Sequence, residues 1–63
     1  MIKLVGRKVI HRGSKNIQVI QNVEKILLDN QNDFRIRITD GNGFIVYDGV
    51  LNFLSDYKIV KEK

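Results

Sequence analysis

Two arginines two residues apart are the side chains in this sequence best placed to bind a ligand. Arg35 and Arg37 alternate with Phe34, Ile36 and Ile38 in the segment FRIRI. In a β-strand, alternate side chains point to opposite faces, so both guanidinium groups would lie on one face, about 6.6 to 7 Å apart. That separation is close to the spacing of successive phosphates on a nucleic acid strand. The alternative is that these long side chains only cover the solvated face of a sheet.

Basic residues are also concentrated near the amino terminus. The 63-residue chain has a formal net charge of +4. Five basic residues and no acidic residue occur in positions 1–15, whereas positions 16–34 are net acidic. Such an asymmetry is expected of a protein with an anionic partner, and equally of a solvated basic strand that maintains solubility. We predict a nucleic-acid-binding surface on which basic residues contact phosphates and one tyrosine stacks on a base, formed by Lys3, Arg7, Lys8, Arg12, Lys15, Arg35, Arg37 and Tyr47.

No other side chains form a recognisable catalytic or metal site. His11 is the only histidine and there is no cysteine, so neither a base with a partner nor a metal-ligand set is evident. The aspartates fall where turns are expected, and their side chains suit turns. DNQND at 29–33 lacks the glycine and the glutamate of a calcium loop, and DGNG at 40–43 lacks the pattern of a phosphate loop. We therefore predict no enzyme activity, no metal and no cofactor, with a surface or loop-anchoring role for His11.

Composition and one clear hairpin predict an all-β fold. The chain has no alanine and no proline but nine isoleucines and seven valines, and such β-branched residues favour strands over helices. Residues 34–39 alternate as a half-buried strand, and FIVYD at 44–48 would return as its partner. DGNG between them offers two glycines able to adopt the positive φ that tight hairpins require.

Segment 16–30, NIQVIQNVEKILLDN, has two interpretations. As a helix with Asn16 as its N-cap, it would carry a single apolar stripe. As strands, IQVI and VEKILLD would need a bulge near Gln21 and Asn22 to keep their apolar side chains on one face. The β-branched composition favours strands, with the polar NQND at 30–33 as the turn before the next strand.

The remaining segments complete a predicted antiparallel sheet of five strands. The first strand is predicted over Ile2–Ile10, with a bend or bulge at Gly6. FLSD would form a short helical turn before a last strand at Tyr57–Val60. We therefore predict one all-β domain, residues 1–63, folded as a small five-stranded antiparallel barrel. The alternative is an α+β fold in which a helix at about 16–30 packs on an antiparallel sheet.

This predicted order of elements resembles that of the Src-homology-3-like small barrels. In those barrels a short helical turn also precedes the last strand; here FLSD would be the turn and YKIV the strand. The resemblance covers most of the chain and implies the fold of a small barrel. The chain has no tryptophan, no clustered aromatic residues and no acidic loop, so the binding of proline-rich peptides is not carried over with the fold.

Part of the chain is also similar to the Sm-like RNA-binding barrels. Their signature contains a strand, a DG pair, a Gly-x-Leu step and an aspartate-containing turn. The interval between the two glycine steps is a few residues longer here, so we carry over neither the ring assembly nor the RNA pocket of that family. The residues that carry the similarity are Ile36, Ile38, Asp40, Gly41, Gly49, Leu51 and Asp56.

These observations together predict a small binding protein. No apolar run approaches the roughly 18 residues needed to span a bilayer, and the amino-terminal apolar segment is too short and interrupted for a signal peptide. We therefore expect a cytoplasmic protein without a membrane partner, and the abundance of Ile, Lys and Asn suits a bacterial or phage genome of low GC content. The predicted function is a non-enzymatic module that binds nucleic acid, or an acidic protein surface, through a basic sheet face.

The alternative function is a protein-interaction or self-assembly module with no role in nucleic acid binding, encoded by a phage or a plasmid. Its exposed edge strand would pair with itself or with a host protein. A chain of 63 residues buries a small core, which makes a homo-oligomer a plausible state.

Overall fold

The structure is a computed structural model that describes residues 4–61. All strand pairs are antiparallel, and the strands lie in the order β4-β3-β2-β1-β5 in a single sheet. The mostly-β prediction with five antiparallel strands is confirmed. Because β4 and β5 are the two edges and do not pair with each other, closure of the sheet into a barrel is not confirmed. The elements are β1 (Lys8–His11), β2 (Ile17–Leu28), β3 (Gln31–Thr39), β4 (Phe44–Asp48), α1 (Val50–Asp56) and β5 (Tyr57–Ile59).

Segment 16–30 forms a strand and not a helix. β2 is 12 residues long, and its register with β3 shifts between Ile20 and Asn22, so Gln21 is the extra residue of a bulge. The predicted strand with a bulge at this point is confirmed, and the predicted helix is wrong. Ile20 and Val23 are three positions apart, so in a regular strand their side chains would point to opposite faces. The bulge lets both face the core.

The turn between β2 and β3 lies earlier than predicted. Asp29 and Asn30, with φ of 53° and 63°, connect Leu28 to Gln31, which are register partners. Two successive positive φ values are typical of a type I′ hairpin turn, and Asp and Asn tolerate that conformation better than other non-glycine residues. The NQND turn is therefore wrong, because residues 31–33 already belong to β3.

The hairpin of β3 and β4 forms as predicted. Thr39 and Phe44 are its last register pair, and Gly41 in the loop has a φ of 95°. Thr39 Oγ1 accepts a hydrogen bond from Gly41 N (3.0 Å) and donates one to the Gly43 carbonyl (2.6 Å). The threonine side chain thereby holds both ends of the loop.

The first strand is shorter than predicted. It begins at Lys8 because the chain turns at Gly6, whose φ is 94° and whose N–H donates to the Ile20 carbonyl (2.8 Å). The predicted bend at this glycine is confirmed, and the predicted start at Ile2 lies outside the described residues. At the other end, the predicted short helical turn and last strand are confirmed as α1 and β5.

The helix begins directly after β4 because Gly49 redirects the chain. Its φ is 97°, its N–H donates to the Phe34 carbonyl (2.9 Å), and a Cβ there would lie 3.2 Å from Leu28 Cδ2. Asp33 Oδ1 then accepts a hydrogen bond from Val50 N (2.9 Å), the first residue of α1. A larger residue at position 49 would therefore meet backbone strain, and its Cβ would crowd the side chain of Leu28,.

α1 covers one face of the sheet and closes the core. The rings of Phe53 and Tyr57 stack with centroids 5.4 Å apart. The buried side chain of Gln18 accepts a hydrogen bond at Oε1 from the Tyr57 hydroxyl, as a buried polar group requires. The opposite face of the sheet and its two edges are left to solvent. The buried apolar residues are Val9, Ile20, Ile36, Ile38, Phe53 and Tyr57.

Candidate binding surface

The sheet face opposite the core, here called the outer face, carries both arginines of the FRIRI segment. In the register of the sheet, Arg35 lies between Glu24 and Asp48, and Arg37 lies opposite Val46. Their neighbours in the strand, Ile36 and Ile38, are buried on the core side. The two arginines therefore share a face, but they face different neighbours.

Arg35 is held by two carboxylates. Its Nε and Nη2 donate to the two carboxylate oxygens of Asp48 (2.7 and 3.3 Å), and its Nη1 donates to Glu24 Oε1 (3.4 Å). The hydrogen bonds with Arg35 lower the pKa of Asp48, and those with Asp48 raise the pKa of Arg35. The positive charge of Arg35 is therefore largely offset by its neighbours and contributes little to an attractive field for an anionic ligand.

Arg37 lies in different surroundings. Its guanidinium carbon is 4.7 Å from the centroid of the Phe44 ring, a cation–π contact,. The Phe44 side chain is 61% exposed. Within residues 4–61, Arg37 has no ion pair. The outer face therefore presents one arginine stacked on an exposed aromatic ring.

The two arginines near the amino terminus are bonded to main-chain carbonyls. Arg7 is half-buried, and its Nη2 donates to the Val60 carbonyl (3.3 Å). Arg12 Nε donates to the Leu54 carbonyl (2.9 Å) at the end of α1. Both guanidinium groups therefore connect the first strand and its loop to the carboxyl-terminal part of the chain.

Of the predicted lysines, one lies on the outer face. Lys8 in β1 is exposed there, whereas Lys15 is exposed in the loop after β1 and Lys3 lies outside the described residues. Lys58 in β5 lies on the same face as Lys8 by its register with β1 and is not among the residues predicted from the sequence. Because side chains alternate between the faces of a strand and Tyr57 is buried, the sequence pattern places Lys58 on the outer face,. Besides Arg35, whose charge is offset, the structure thus brings three cations, Lys8, Arg37 and Lys58, to the outer face.

Tyr47 does not lie where base stacking would require it. It is the register partner of Ile36, on the core side of β4. Its hydroxyl donates to Asp56 Oδ2 (2.7 Å), and its ring packs edge-on against Phe53 and Tyr57. Burial, followed by the bond to Asp56, raises the pKa of Tyr47 to about 12. Strand alternation turns the ring of Tyr47 toward the core, so the structure does not bring it together with Arg35 and Arg37 on the outer face.

The aromatic ring on the outer face is Phe44, which is not among the binding residues predicted from the sequence. The register of the predicted hairpin identifies it, because Phe44 is the partner of Thr39 and Thr39 shares a face with Arg37,. An apolar residue outside the core on an edge strand is an observation that needs an explanation.

β4 is an edge strand with an exposed apolar run. Phe44, Ile45 and Val46, here called the β4 edge, are 61%, 45% and 41% exposed. Because Gly49 N donates to the Phe34 carbonyl, the alternation of an antiparallel ladder directs the N–H and C=O groups of residues 44 and 46 away from β3. No charge, proline or bulge interrupts these three residues. The β4 edge therefore offers main-chain and apolar contacts to an additional strand.

The opposite edge is short and basic. β5 has three residues, and its central residue is the exposed Lys58. Lys61 follows two residues after β5 and is also exposed. Short length and lysine are two common means of preventing strand addition. The two edges of the sheet therefore differ in their capacity to accept a partner.

One cleft opens beside α1 on the core side. It has a volume of about 120 Å³, and its lining side chains, which include Val23, Phe34 and Leu54, are all apolar. It presents no acid, base or nucleophile to a bound molecule. Over residues 4–61 no group of three or more His, Asp or Glu side chains is placed to hold a metal ion.

His11 and Asp40 bond to the main chain around them, whereas Asp48 and Asp56 accept hydrogen bonds from the side chains of Arg35 and Tyr47. His11 Nδ1 accepts hydrogen bonds from the N–H groups of Gly13 (3.2 Å) and Ser14 (3.1 Å), so the ring fixes the loop that follows β1. Asp40 Oδ1 accepts from Asn42 N (2.9 Å) in the hairpin loop. These contacts agree with the loop-anchoring role predicted for His11 and, for Asp40, with the turn-forming role predicted for the aspartates.

In comparisons with known proteins, the chain matches no protein-family model, no curated protein sequence and no solved structure. Within residues 4–61, no helix has the length and apolarity needed to cross a bilayer. The functional argument therefore depends on the surface itself, and above all on the β4 edge and the outer face beside it.

Proposed function

We propose that this protein is a non-enzymatic protein-interaction module that binds an extended polypeptide strand at the β4 edge. The observation that supports the proposal is the uninterrupted run of exposed apolar residues on an edge whose main-chain groups point to solvent. In this mode of recognition, main-chain hydrogen bonds supply affinity and alternate side chains supply specificity. The fold is then best described as an open small barrel of the Src-homology-3-like kind, with β4 as its binding edge.

The side chains on the two faces of β4 suggest what the bound strand would contain. On the outer face, Phe44 and Val46 lie beside Arg37. On the core side, Ile45 is half-exposed next to the margin of the core. A strand with apolar residues on both faces fits this surface, and an acidic residue on the outer face would pair with Arg37.

Site-specific photo-crosslinking in the source cells tests the proposal. A photoreactive phenylalanine analogue replaces Phe44, and the control carries it at Leu51, which is 82% exposed on α1. We expect covalent adducts with a polypeptide from position 44 and none from position 51. Absence of adducts from position 44, or equal yields from both positions, would contradict binding at the β4 edge.

A nucleic-acid-binding module is the second candidate. It is supported by the position of Lys8, Arg37 and Lys58 on the same face as the exposed ring of Phe44. Basic side chains beside an aromatic ring are typical of single-strand binding surfaces. Compared with the eight residues predicted from sequence, this surface loses the offset charge of Arg35 and the inward ring of Tyr47, which is why it ranks second.

Fluorescence anisotropy of a labelled single-stranded oligonucleotide tests this second candidate. Electrostatic binding through three cations would weaken measurably between about 50 mM and about 200 mM salt. Phe44→Ala would weaken it further through the loss of stacking. No binding at the lower salt concentration would exclude this candidate and leave the protein-interaction module.

A further inference from the structure

We propose that the strand bound at the β4 edge is β4 of a second copy of this chain, paired antiparallel about a two-fold axis at Ile45. The inference rests on the proposed function, because it names the partner of the same edge. It would join two five-stranded sheets into one continuous sheet. A two-fold interface of this kind needs a self-complementary surface, and the order of residues in β4 provides one.

The first step is the direction of the main-chain groups. The N–H and C=O groups of Phe44 and Val46 point away from β3, as derived above,. In an antiparallel pair centred on Ile45, residue 44 of one copy lies opposite residue 46 of the other. Each such pair exchanges two hydrogen bonds, so the dimer forms four main-chain bonds without any change in β4.

The second step is the match of side chains in this register. Phe44 meets Val46 of the other copy on the outer face, and Ile45 meets its own equivalent on the core side. Beyond them, Tyr47 lies opposite Gly43, which has no side chain to obstruct it, and Asp48 lies opposite Asn42,. Apolar residues thus pair with apolar residues, and polar residues with polar residues.

The neighbouring register is less favourable. If the axis passed through Val46, Phe44 would lie opposite Asp48, whose carboxylate is already bound to Arg35. The apolar ring would then cover a charged group, which loses contact area and partly desolvates the ion pair. Side-chain chemistry therefore selects the axis at Ile45.

The third step is charge and size. Although the chain has a net charge of +4, residues 41–47 contain no charged side chain, so the two strands meet without like charges in contact. Pairing along so short a strand buries well under about 1,200 Å² in total, which places the interface in the weak, concentration-dependent class. The dimer is thus expected to form and dissociate readily.

Light scattering after gel filtration measures the self-association of the purified chain. We expect the apparent mass to rise from one chain toward two as the loaded concentration increases to about 1 mM, a range that detects even a millimolar Kd. Val46→Lys should abolish the rise. Leu51→Lys likewise replaces an exposed apolar residue by lysine, but on α1, and should leave the rise unchanged. A strictly monomeric wild-type chain would overturn the inference.

Cysteine cross-linking tests the register, since the chain has no native cysteine. Residues at position 45 would form a non-hydrogen-bonded pair with Cα atoms about 4.5 Å apart, within the range of a disulfide. With oxidised glutathione, Ile45→Cys should form a covalent dimer, whereas Val46→Cys, opposite residue 44, should not. Preferential cross-linking of Val46→Cys would overturn the proposed register.

The two proposals fail in different ways. A monomeric chain that nevertheless forms adducts from Phe44 with another polypeptide would remove the second copy as the partner and retain the interaction module. A chain that forms neither dimers nor adducts would remove both.

Discussion

The two edges of the sheet differ in length, charge and attachment to the core. β5 is three residues long, carries Lys58 at its centre and begins with Tyr57, which is buried and stacked on Phe53. The β4 edge consists of Phe44–Val46, exposed and without charge. β5 is therefore packed on the core and carries an exposed lysine, whereas the β4 edge is exposed and uncharged.

The proposed self-association depends on this difference between the two edges. An open edge on both sides would allow strands to add without limit, and a guarded edge on both sides would allow none. With one of each, the proposed pairing would end at two copies. In this proposal, Lys58 at β5 opposes strand addition and the uncharged β4 edge permits it.

The largest expected effect is a difference between β5 and β4 in how much each contributes to the unfolding free energy. Tyr57→Ala removes a buried ring and its hydrogen bond to Gln18. Loss of a buried aromatic side chain costs about 3–5 kcal/mol, comparable to the whole stability expected of so small a domain. Phe44→Ala removes an exposed ring and should cost less than about 1 kcal/mol.

Urea denaturation followed by circular dichroism measures both variants. The Tyr57→Ala chain should be unfolded, or close to it, without denaturant, and Phe44→Ala should retain a cooperative transition near that of the wild type. Similar losses in the two variants would show that β4 is as firmly part of the core as β5, and that its exposure does not make it available.

The difference between the edges was only partly legible in the sequence. The alternation of residues 34–39 and the β-branched composition specified the strands, because burial on one face requires period two. The bulge at Gln21 followed from the same requirement. The position of the β2–β3 turn did not follow, because NQND and Asp29–Asn30 are equally polar and only the pairing register distinguishes them.

The binding surface was predicted less well, for a related reason. Residue type identified Arg35 as a cation, but its charge is offset by Asp48 and Glu24, which lie 13 and 11 residues away in the chain. Such partners become neighbours only through strand register. The same register turns the ring of Tyr47 toward the core and that of Phe44 toward the outer face, since side chains alternate between the two faces of a strand,.

A second prediction concerns the bond that ties β4 to the end of α1. The pKa of Tyr47 is raised from 10.0 to about 12 by burial and by its bond to Asp56. Since the fold favours the neutral phenol, its contribution to stability is complete below pH 10 and is lost as the pH rises from 10 to 12. Burial also raises the pKa of Tyr57, so part of the alkaline loss will remain in any Tyr47 variant.

Tyr47→Phe should therefore lower the unfolding free energy at pH 7 by about 0.5–1.5 kcal/mol, the typical net value of one hydrogen bond. Between pH 10 and 12 its stability should decline less steeply than that of the wild type, by up to about one proton per molecule. Thermal melts across this pH range give both quantities. Parallel pH profiles would show that the Tyr47 hydroxyl titrates alike in the folded and unfolded chains.

A third prediction concerns Lys58, the exposed lysine of the edge strand β5. Lys58→Val leaves β5 apolar at its outer position and should permit strand addition at both edges, so that species larger than a dimer appear by light scattering. Lys25→Val removes the same charge from an exposed position of β2, an interior strand of the sheet. It should not produce such larger species. Larger species in neither variant would mean that the length of β5, and not its lysine, closes that edge.

The smallest effect on stability is expected from releasing Arg35. Asp48→Asn removes a half-exposed carboxylate whose ion pair with Arg35 lies at the surface, so the stability of the folded chain should change little at pH 7,. The hydrogen bonds of Arg35 lower the pKa of Asp48, so this carboxylate stabilises the fold above its unfolded pKa. That contribution is lost as the pH falls through its lower folded value, and the variant should lack this part of the acid dependence.

The same substitution separates the two candidate functions, because it removes one of the two carboxylates that offset Arg35 and leaves Phe44–Val46 unchanged. If the β4 edge binds polypeptide, the concentration dependence of the dimer should be that of the wild type. If the outer face binds nucleic acid, the affinity for an oligonucleotide at low salt should rise in Asp48→Asn and the salt dependence should steepen, since one more phosphate contact releases one more counterion. Anisotropy and light scattering on one preparation of the variant therefore decide which of the two surfaces is used.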